Sequence, residues 1–176
     1  MSNPETRLEH LSRGVILVGH GGVPTDYPIH MVRKLKQLES QRRATGNHIT
    51  TEEQKLDTQI RQWPRTPKTD PYQAGLESLG AHLKPLLKNS MFALAYNEFC
   101  TPTVEEAVIS LIAKGRNDLT IISSMLTPGG SHAEIEIPET LKQLRTHHPN
   151  IIIRYAWPFD LSQIAKLLAS HIQDAQ

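Results

Sequence analysis

The feature that most constrains this 176-residue chain is an apolar run at residues 15–18, which ends in the sequence Gly-His-Gly-Gly. A short β-branched run of this kind is typical of a strand buried inside a parallel sheet. Similar runs follow at residues 91–96, 119–123 and 151–155. The sequence therefore predicts four strands, with the first one opening directly into a glycine-rich loop.

Helical patterns lie between these runs and after the last of them. An apolar stripe over residues 104–112 is followed by Gly115, a common helix stop. Further stripes occupy residues 137–144 and 161–172, and Asp160 is placed to cap the last one. Strands that alternate with helices in this way favour right-handed β-α-β units.

The alternation predicts the fold class. We expect a single α/β domain over residues 1–176, in three layers, with a four-stranded parallel sheet at its centre. A strand order of 2-1-3-4 is expected, which places strands one and three side by side at a switch point. Residues 72–88 already supply the helix that a crossover from strand one to strand two needs. Residues 28–71 are therefore predicted to be a helical insertion after strand one.

The insertion is also where positive charge collects. The whole chain has a formal net charge of +1, which argues against a strongly basic nucleic-acid-binding protein. Residues 28–68 nevertheless carry nine Lys/Arg and four Asp/Glu, a net charge of +5. Two interpretations stay open. The segment forms a basic lid that attracts an acidic partner, or its first helix packs an Ile29, Val32 and Leu35 stripe and leaves the charges in solvent.

Cysteine content and hydropathy restrict the cellular compartment and the classes of binding partner that we expect. Cys100 is the only cysteine, which excludes an internal disulfide and a multi-cysteine metal site. No apolar run reaches the roughly 20 residues of a membrane span, and residues 1–10 do not resemble a secretory signal. We therefore expect a cytoplasmic protein with neither nucleic acid nor membrane as a partner.

Candidate chemical groups follow three of the predicted strands. His20 follows strand one, Glu98 follows strand two, and His132 and Glu136 follow strand three. Ligands of open parallel sheets bind beyond the carboxyl ends of the strands, so these loops are the expected site. The sequence contains no dinucleotide fingerprint, phosphate loop, HExxH motif or serine elbow. Two imidazoles with open positions suit a loosely held transition metal, and a carboxylate beside them could accept protons.

Three segments together resemble the class II tetrapyrrole chelatases, the CbiX/SirB/CfbA group. In that family a strand ends in GHG, which is similar to residues 15–21. A motif of the form F-L-E-x-x-x-P-[ST] is similar to residues 96–103, and G-x-H-x-x-x-D-I-P is similar to residues 130–138. The resemblance extends over residues 14–27 and 72–173.

The resemblance implies a function and a set of site residues. It implies a homodimeric enzyme that inserts Co²⁺, Fe²⁺ or Ni²⁺ into sirohydrochlorin or a related tetrapyrrole. The metal is then a substrate, and no permanent cofactor is expected. His20 and His132 would be the metal-binding and catalytic pair, with Glu98 and Glu136 as nearby catalytic carboxylates. Contacts to the bound tetrapyrrole would come from the glycine-rich loops, at Gly21, Gly22, Gly129, Gly130 and Ser131.

Two departures from the family pattern leave alternatives open. Gly22 stands where a serine usually follows GHG, and Thr101 stands where a second glutamate often precedes the proline. The main alternative is a non-catalytic carrier of metal or tetrapyrrole on the same fold, which would bind stoichiometrically instead of turning over. A hydrolase is disfavoured, because the sequence shows no nucleophile and no closed metal site.

Overall fold

The computed structural model describes residues 12–175 and has a four-stranded parallel sheet at its centre. The strand order is β2-β1-β3-β4, which confirms the predicted order. In register, Val18 of β1 pairs with Ala95 on one side and Ser123 on the other, so the carboxyl ends of the three strands lie together. The bounds are β1 (Arg13–Gly19), β2 (Ser90–Tyr96), β3 (Asp118–Ser123) and β4 (Ile152–Tyr155).

Six α-helices accompany the sheet within the described residues. Their ends follow the expected capping chemistry: Thr103 and Glu106 form a reciprocal capping box, and the Asp160 carboxylate accepts a hydrogen bond from the backbone N–H of Ser162. The helices are α1 (Ile29–Thr45), α2 (Thr51–Arg61), α3 (Pro71–Leu83), α4 (Val104–Ala113), α5 (Ile137–His147) and α6 (Leu161–Asp174).

Alternation along the central strand builds a core on both faces of the sheet. Ile16 and Val18 are buried in the cluster that includes α4 and α5. Leu17, which points the other way, packs with Leu76 of α3. Burial on both faces explains why β1 is an uninterrupted apolar run, and the three-layer α/β fold that the sequence predicts is confirmed.

The insertion is helical, as predicted, and its two helices pack on each other and on the domain. A third apolar cluster joins Leu35 of α1 and Ile60 of α2 to Phe99 in the loop after β2. Val32 is partly buried there, but Ile29 is 60% exposed, so its predicted place in the packed stripe is wrong. The cluster contacts α1 from Met31 to Leu35, and the first two residues of the helix are exposed.

The last helix differs from the others because none of its residues is buried. Its predicted apolar stripe is present, and no other part of residues 12–175 covers it, so that four large side chains are more than half exposed. These are Leu161, Leu167, Leu168 and Ile172. None of the helices in residues 12–175 is long and apolar enough to cross a membrane. Residues 1–10, which the sequence analysis compared with a secretory signal, lie outside the described residues. The extent of the domain over residues 1–176 stays a prediction, and so does the cytoplasmic location.

Candidate metal-binding site

Three side chains predicted from the strand ends lie together at one edge of the sheet. His20 directly follows β1, Glu98 follows β2, and His132 begins a short π-helical segment, His132–Glu136, beyond β3. Each of the three offers one potential ligand atom, and these atoms lie within 4.8 Å of one another. The two imidazole centroids are 4.6 Å apart in an edge-on arrangement. The spacing is small enough for one metal ion to contact all three groups.

The backbone fixes the tautomer of the first histidine. His20 Nδ1 lies 2.8 Å from the carbonyl oxygen of Gly21. A carbonyl oxygen can only accept, so Nδ1 carries the proton and Nε2 keeps its lone pair in the neutral ring. The backbone N–H of His20 also donates to the Tyr72 hydroxyl at 2.7 Å. His20 is therefore held in a form that can bind a cation through Nε2.

The second histidine contacts both a carboxylate and an amide. His132 Nδ1 lies 2.9 Å from Glu136 Oε2, one turn further along the π-helical segment. The Asn97 amide nitrogen donates to that oxygen at 2.9 Å and also lies 2.8 Å from His132 Nδ1. An imidazole that donates to a carboxylate through one nitrogen and binds a metal through the other is a common arrangement at metal sites. Burial raises the pKa of Glu136, but hydrogen bonds from His132 and Asn97 outweigh it and leave the pKa below its usual value.

The third candidate ligand is paired with the insertion. Lys36 of α1 donates from Nζ to Glu98 Oε1 at 2.8 Å. The same ammonium lies 3.1 Å from Glu39 Oε2 and 4.6 Å from the centroid of the Phe99 ring. Burial lowers the pKa of Lys36, but the hydrogen bonds to Glu98 and Glu39 more than compensate and raise it. A lysine cation is therefore in place beside Glu98.

Gly21 has a packing role that requires glycine. Its φ of +96° lies in a region that side chains disfavour, and a Cβ placed there would lie 1.8 Å from the carbonyl oxygen of Glu98. The Glu98 N–H in turn donates to the His20 carbonyl at 2.8 Å, which joins the two loops. Glycine at this position thus permits the close approach of His20 and Glu98.

The other residues predicted to contact a tetrapyrrole lie around the same edge. Gly22 is next to Asp70, whose Oδ1 would lie 3.0 Å from an added Cβ. Gly129, Gly130 and Ser131 form an exposed loop before His132, in which the Gly129 N–H donates to Glu134 at 2.7 Å. Tetrapyrrole binding by these residues and by Gly21 stays a prediction.

Two arginines of the insertion donate hydrogen bonds to backbone carbonyls of the loop that contains Glu98. The sequence analysis missed both of them. Arg61 donates to the carbonyl oxygens of Asn97 and Cys100, at 3.3 and 2.9 Å. Arg65 donates to the carbonyl oxygens of Gly22 and Phe99 and pairs with Asp70. The charged side chains of Arg65 and Asp70 are only 6% and 1% exposed. The insertion therefore helps to hold the loops of the site in place, in addition to its contact with Glu98 through Lys36.

The sequence analysis also missed Asn97, and it included Lys36 only among the basic residues of the possible lid, without its pairing to Glu98. Asn97 could have been found, because it is a polar residue where the chelatase motif has leucine, at the end of a buried strand. Lys36 gave no such signal. It is one of several basic residues on α1, and 62 positions separate it from Glu98.

The family model for CbiX matches residues 67–175, which is more than half of the chain. The chain belongs to the CbiX family. The resemblance seen in the sequence motifs is therefore confirmed. A sirohydrochlorin cobaltochelatase from Priestia megaterium is 29% identical over 79 residues, which make up 44% of this chain and 26% of that protein.

Solved structures of similar fold cover most of this CbiX-family chain. SirB, the sirohydrochlorin chelatase of Bacillus subtilis subspecies spizizenii, in complex with cobalt, has a TM-score of 0.53 and 19% identity, over 93% of this chain and 51% of SirB. A putative cobalamin biosynthesis CbiX protein from Marinobacter aquaeolei VT8 has a TM-score of 0.53 and 15% identity, over 93% of this chain and 99% of that one. These likenesses establish the fold. The chain spans about a quarter of the curated relative and about half of SirB.

Proposed function

We propose that the protein inserts a divalent metal, Co²⁺, Fe²⁺ or Ni²⁺, into sirohydrochlorin or a closely related tetrapyrrole. The observation that carries this proposal is the pair of imidazoles, His20 and His132, whose ring centroids lie 4.6 Å apart at the carboxyl edge of the sheet. With Glu98 nearby, they form a three-ligand site that suits first-row transition metals. Three protein ligands leave coordination positions open for the nitrogens of a macrocycle.

The proposed reaction exchanges one metal ion for two pyrrole protons. His20 and His132, in the neutral form, hold the ion before transfer, and the few protein ligands allow its release to the four nitrogens of the macrocycle. Glu98 lies within the ligand cluster and becomes free when the ion moves to the macrocycle, so we assign it to accept one of the two protons, and the second proton passes to water. Glu136 has a lowered pKa and is a weaker base, so we assign it to positioning His132.

Membership of the CbiX family supports the substrate class. The relative from Priestia megaterium is named a sirohydrochlorin cobaltochelatase, and solved SirB structures contain cobalt or Fe³⁺. Within this proposal the metal is a substrate and the protein needs no permanent cofactor.

We further propose that the protein is a homodimer. The chain spans about half of SirB, so two copies would match the length of that protein. The uncovered apolar stripe of α6 provides one surface for the second copy. The sheet provides another, in an open groove of about 470 Å³ whose lining includes Val15, Leu83, Leu87 and Ile122.

The test is the absorption spectrum of sirohydrochlorin during incubation with protein and each divalent metal in turn. Metallated product should form in many-fold excess over protein and faster than in a protein-free control. Product that stops at one equivalent per protein would contradict an enzyme and favour the carrier. No change in the spectrum with any of the metals would contradict both binding and insertion.

A further inference from the structure

Two cations of the insertion are paired with two carboxylates of the candidate site. Lys36 lies 2.8 Å from Glu98 Oε1, and Arg43 lies 3.2 Å from Glu136 Oε1. Lys36 and Arg43 are seven residues apart, or about two helical turns, and so lie on the same side of α1. The helix α1 lies outside residues 67–175, the part that matches the CbiX family model. The two pairs are thus a feature of the insertion.

The ion pair between Lys36 and Glu98 competes with a metal for the Glu98 carboxylate. Lys36 donates a hydrogen bond to one oxygen of the Glu98 carboxylate. This carboxylate has a potential ligand atom within 4.8 Å of those of His20 and His132. An ammonium group this close to the carboxylate also repels an approaching divalent cation. A metal that uses Glu98 as a ligand must therefore displace Lys36 from it.

Displaced Lys36 keeps other partners. Its ammonium group already contacts Glu39 at 3.1 Å and the face of the Phe99 ring at 4.6 Å. The Lys36 side chain is 41% exposed, whereas Glu98 is 14% exposed, so the lysine has room to move while the carboxylate stays. Displacement thus exchanges one ion pair for a nearby alternative instead of leaving a buried charge unpaired.

Beside the second pair, Arg43 and Glu136, α1 borders an open cavity. Arg42, Arg43 and Ser131 line a space of about 500 Å³ that also contacts Glu136. The tetrapyrrole of the proposed function carries carboxylates, which charged donors such as lysine and arginine bind well. A macrocycle that reaches the metal site from this side would bring acidic groups toward Lys36 and Arg43.

We propose that Lys36 is a latch that links metal binding to binding of the acidic macrocycle. In the metal-free protein it neutralises Glu98. Metal binding displaces it, and the freed ammonium then pairs with a carboxylate of the macrocycle next to Arg43. Metal and macrocycle thereby strengthen each other's binding, by the same factor in both directions. The macrocycle half of this proposal rests on the proposed function, whereas the competition between Lys36 and the metal does not.

Calorimetric titration with Co²⁺ alone tests the competition. Lys36→Gln should bind Co²⁺ about fivefold more tightly than the wild-type protein, the effect expected from removal of one strong surface ion pair. Lys36→Arg keeps the charge and should retain wild-type affinity. Lys34→Gln is the matched control, since Lys34 is on the same helix but pairs with exposed Glu52 at 3.7 Å. Equal Co²⁺ affinity in Lys36→Gln and Lys34→Gln would overturn the latch.

A second titration tests the link to the macrocycle. Copper uroporphyrin is an acidic tetrapyrrole whose centre is already filled, so no insertion can occur. Its presence should tighten Co²⁺ binding about fivefold in the wild-type protein and in Lys34→Gln, but not in Lys36→Gln. No effect in the wild-type protein, or the same effect in Lys36→Gln, would overturn the link. Failure of the chelatase proposal would show separately, as absent metallation of sirohydrochlorin, because neither titration requires turnover.

Discussion

At the scale of single residues, the two histidines differ in what holds them but lie with their ring centroids 4.6 Å apart. The backbone of Gly21 fixes His20, and the carboxylate of Glu136 fixes His132. Replacement of either histidine by alanine should weaken Co²⁺ binding by more than about 100-fold, because each supplies a direct ligand. Calorimetry measures the affinity, and circular dichroism checks the fold, which should persist since neither residue belongs to an apolar core cluster. Near-normal affinity or turnover in either variant would contradict the assigned site.

Glu136 and Glu98 are expected to differ in kinetics. Glu136→Gln should weaken metal binding about tenfold, because it loses the charge that orients His132, while bound metal still reacts at a near-normal rate. Glu134→Gln is the matched control, since that carboxylate bonds to the Gly129 N–H on the same segment. Metal affinity and metallation rate are measured on the same samples. Unchanged affinity with a slower rate would instead identify Glu136 as a proton acceptor.

A site residue could be predicted from the sequence when it directly followed a strand, and not when it came from the insertion. Strand ends are visible in the sequence, so His20, Glu98 and His132 could be identified before their contacts were known. The partners of these residues could not, because Lys36 and Arg43 reach the site from an insertion whose position the apolar pattern does not specify.

At the scale of elements, the insertion shows that a pattern of basic residues does not reveal which of them are buried. Basic residues in a helix or loop are typical of a solvated face, yet the Arg65 side chain is almost fully buried against Asp70 and three backbone carbonyls. The packing interpretation of the insertion is confirmed for part of the stripe, and attraction of an acidic partner stays a prediction. Leu35 packs into a core, while Lys36 and Arg43 of the same helix face the site.

Loss of Arg65 should destabilise the whole domain. Arg65→Met leaves Asp70 buried without its partner and frees the Phe99 carbonyl, which should lower the free energy of unfolding by about 3–5 kcal/mol. Lys68→Met, an exposed neighbour, should change it by less than about 0.5 kcal/mol. Urea denaturation followed by Trp fluorescence measures both. A loss under about 1 kcal/mol in Arg65→Met would show that the buried pair does not hold the insertion to the domain.

At the scale of the whole molecule, the sheet order was predictable and the quaternary structure was not. Regular alternation and right-handed crossovers restrict a four-stranded parallel sheet to few orders, and the observed one is among them. The apolar stripe of α6 was equally visible in the sequence. A stripe, however, shows only that a helix has an apolar face, and it does not show whether the same chain or a second copy covers it.

The exposed stripe makes the proposed dimer testable with a single substitution. Leu168 is 54% exposed, so Leu168→Glu should leave the monomer folded while it places a charge in any interface that α6 forms. Lys166→Glu is the matched control, since it changes an exposed position of the same helix that lies outside the apolar residues. Light scattering at micromolar concentration should give about twice the 19.8 kDa chain mass for the wild-type protein and for Lys166→Glu.

Leu168→Glu should instead give the mass of one chain, because loss of one buried leucine alone raises a dissociation constant by more than about tenfold. The sirohydrochlorin assay on this variant then separates two roles of the second copy. If each chain holds a complete site, the folded monomer keeps its metallation rate, since His20, Glu98 and His132 all come from one chain. If the macrocycle also needs a surface of the partner, metallation falls while Co²⁺ affinity stays at the wild-type value. A wild-type protein that scatters as a monomer would contradict the dimer itself.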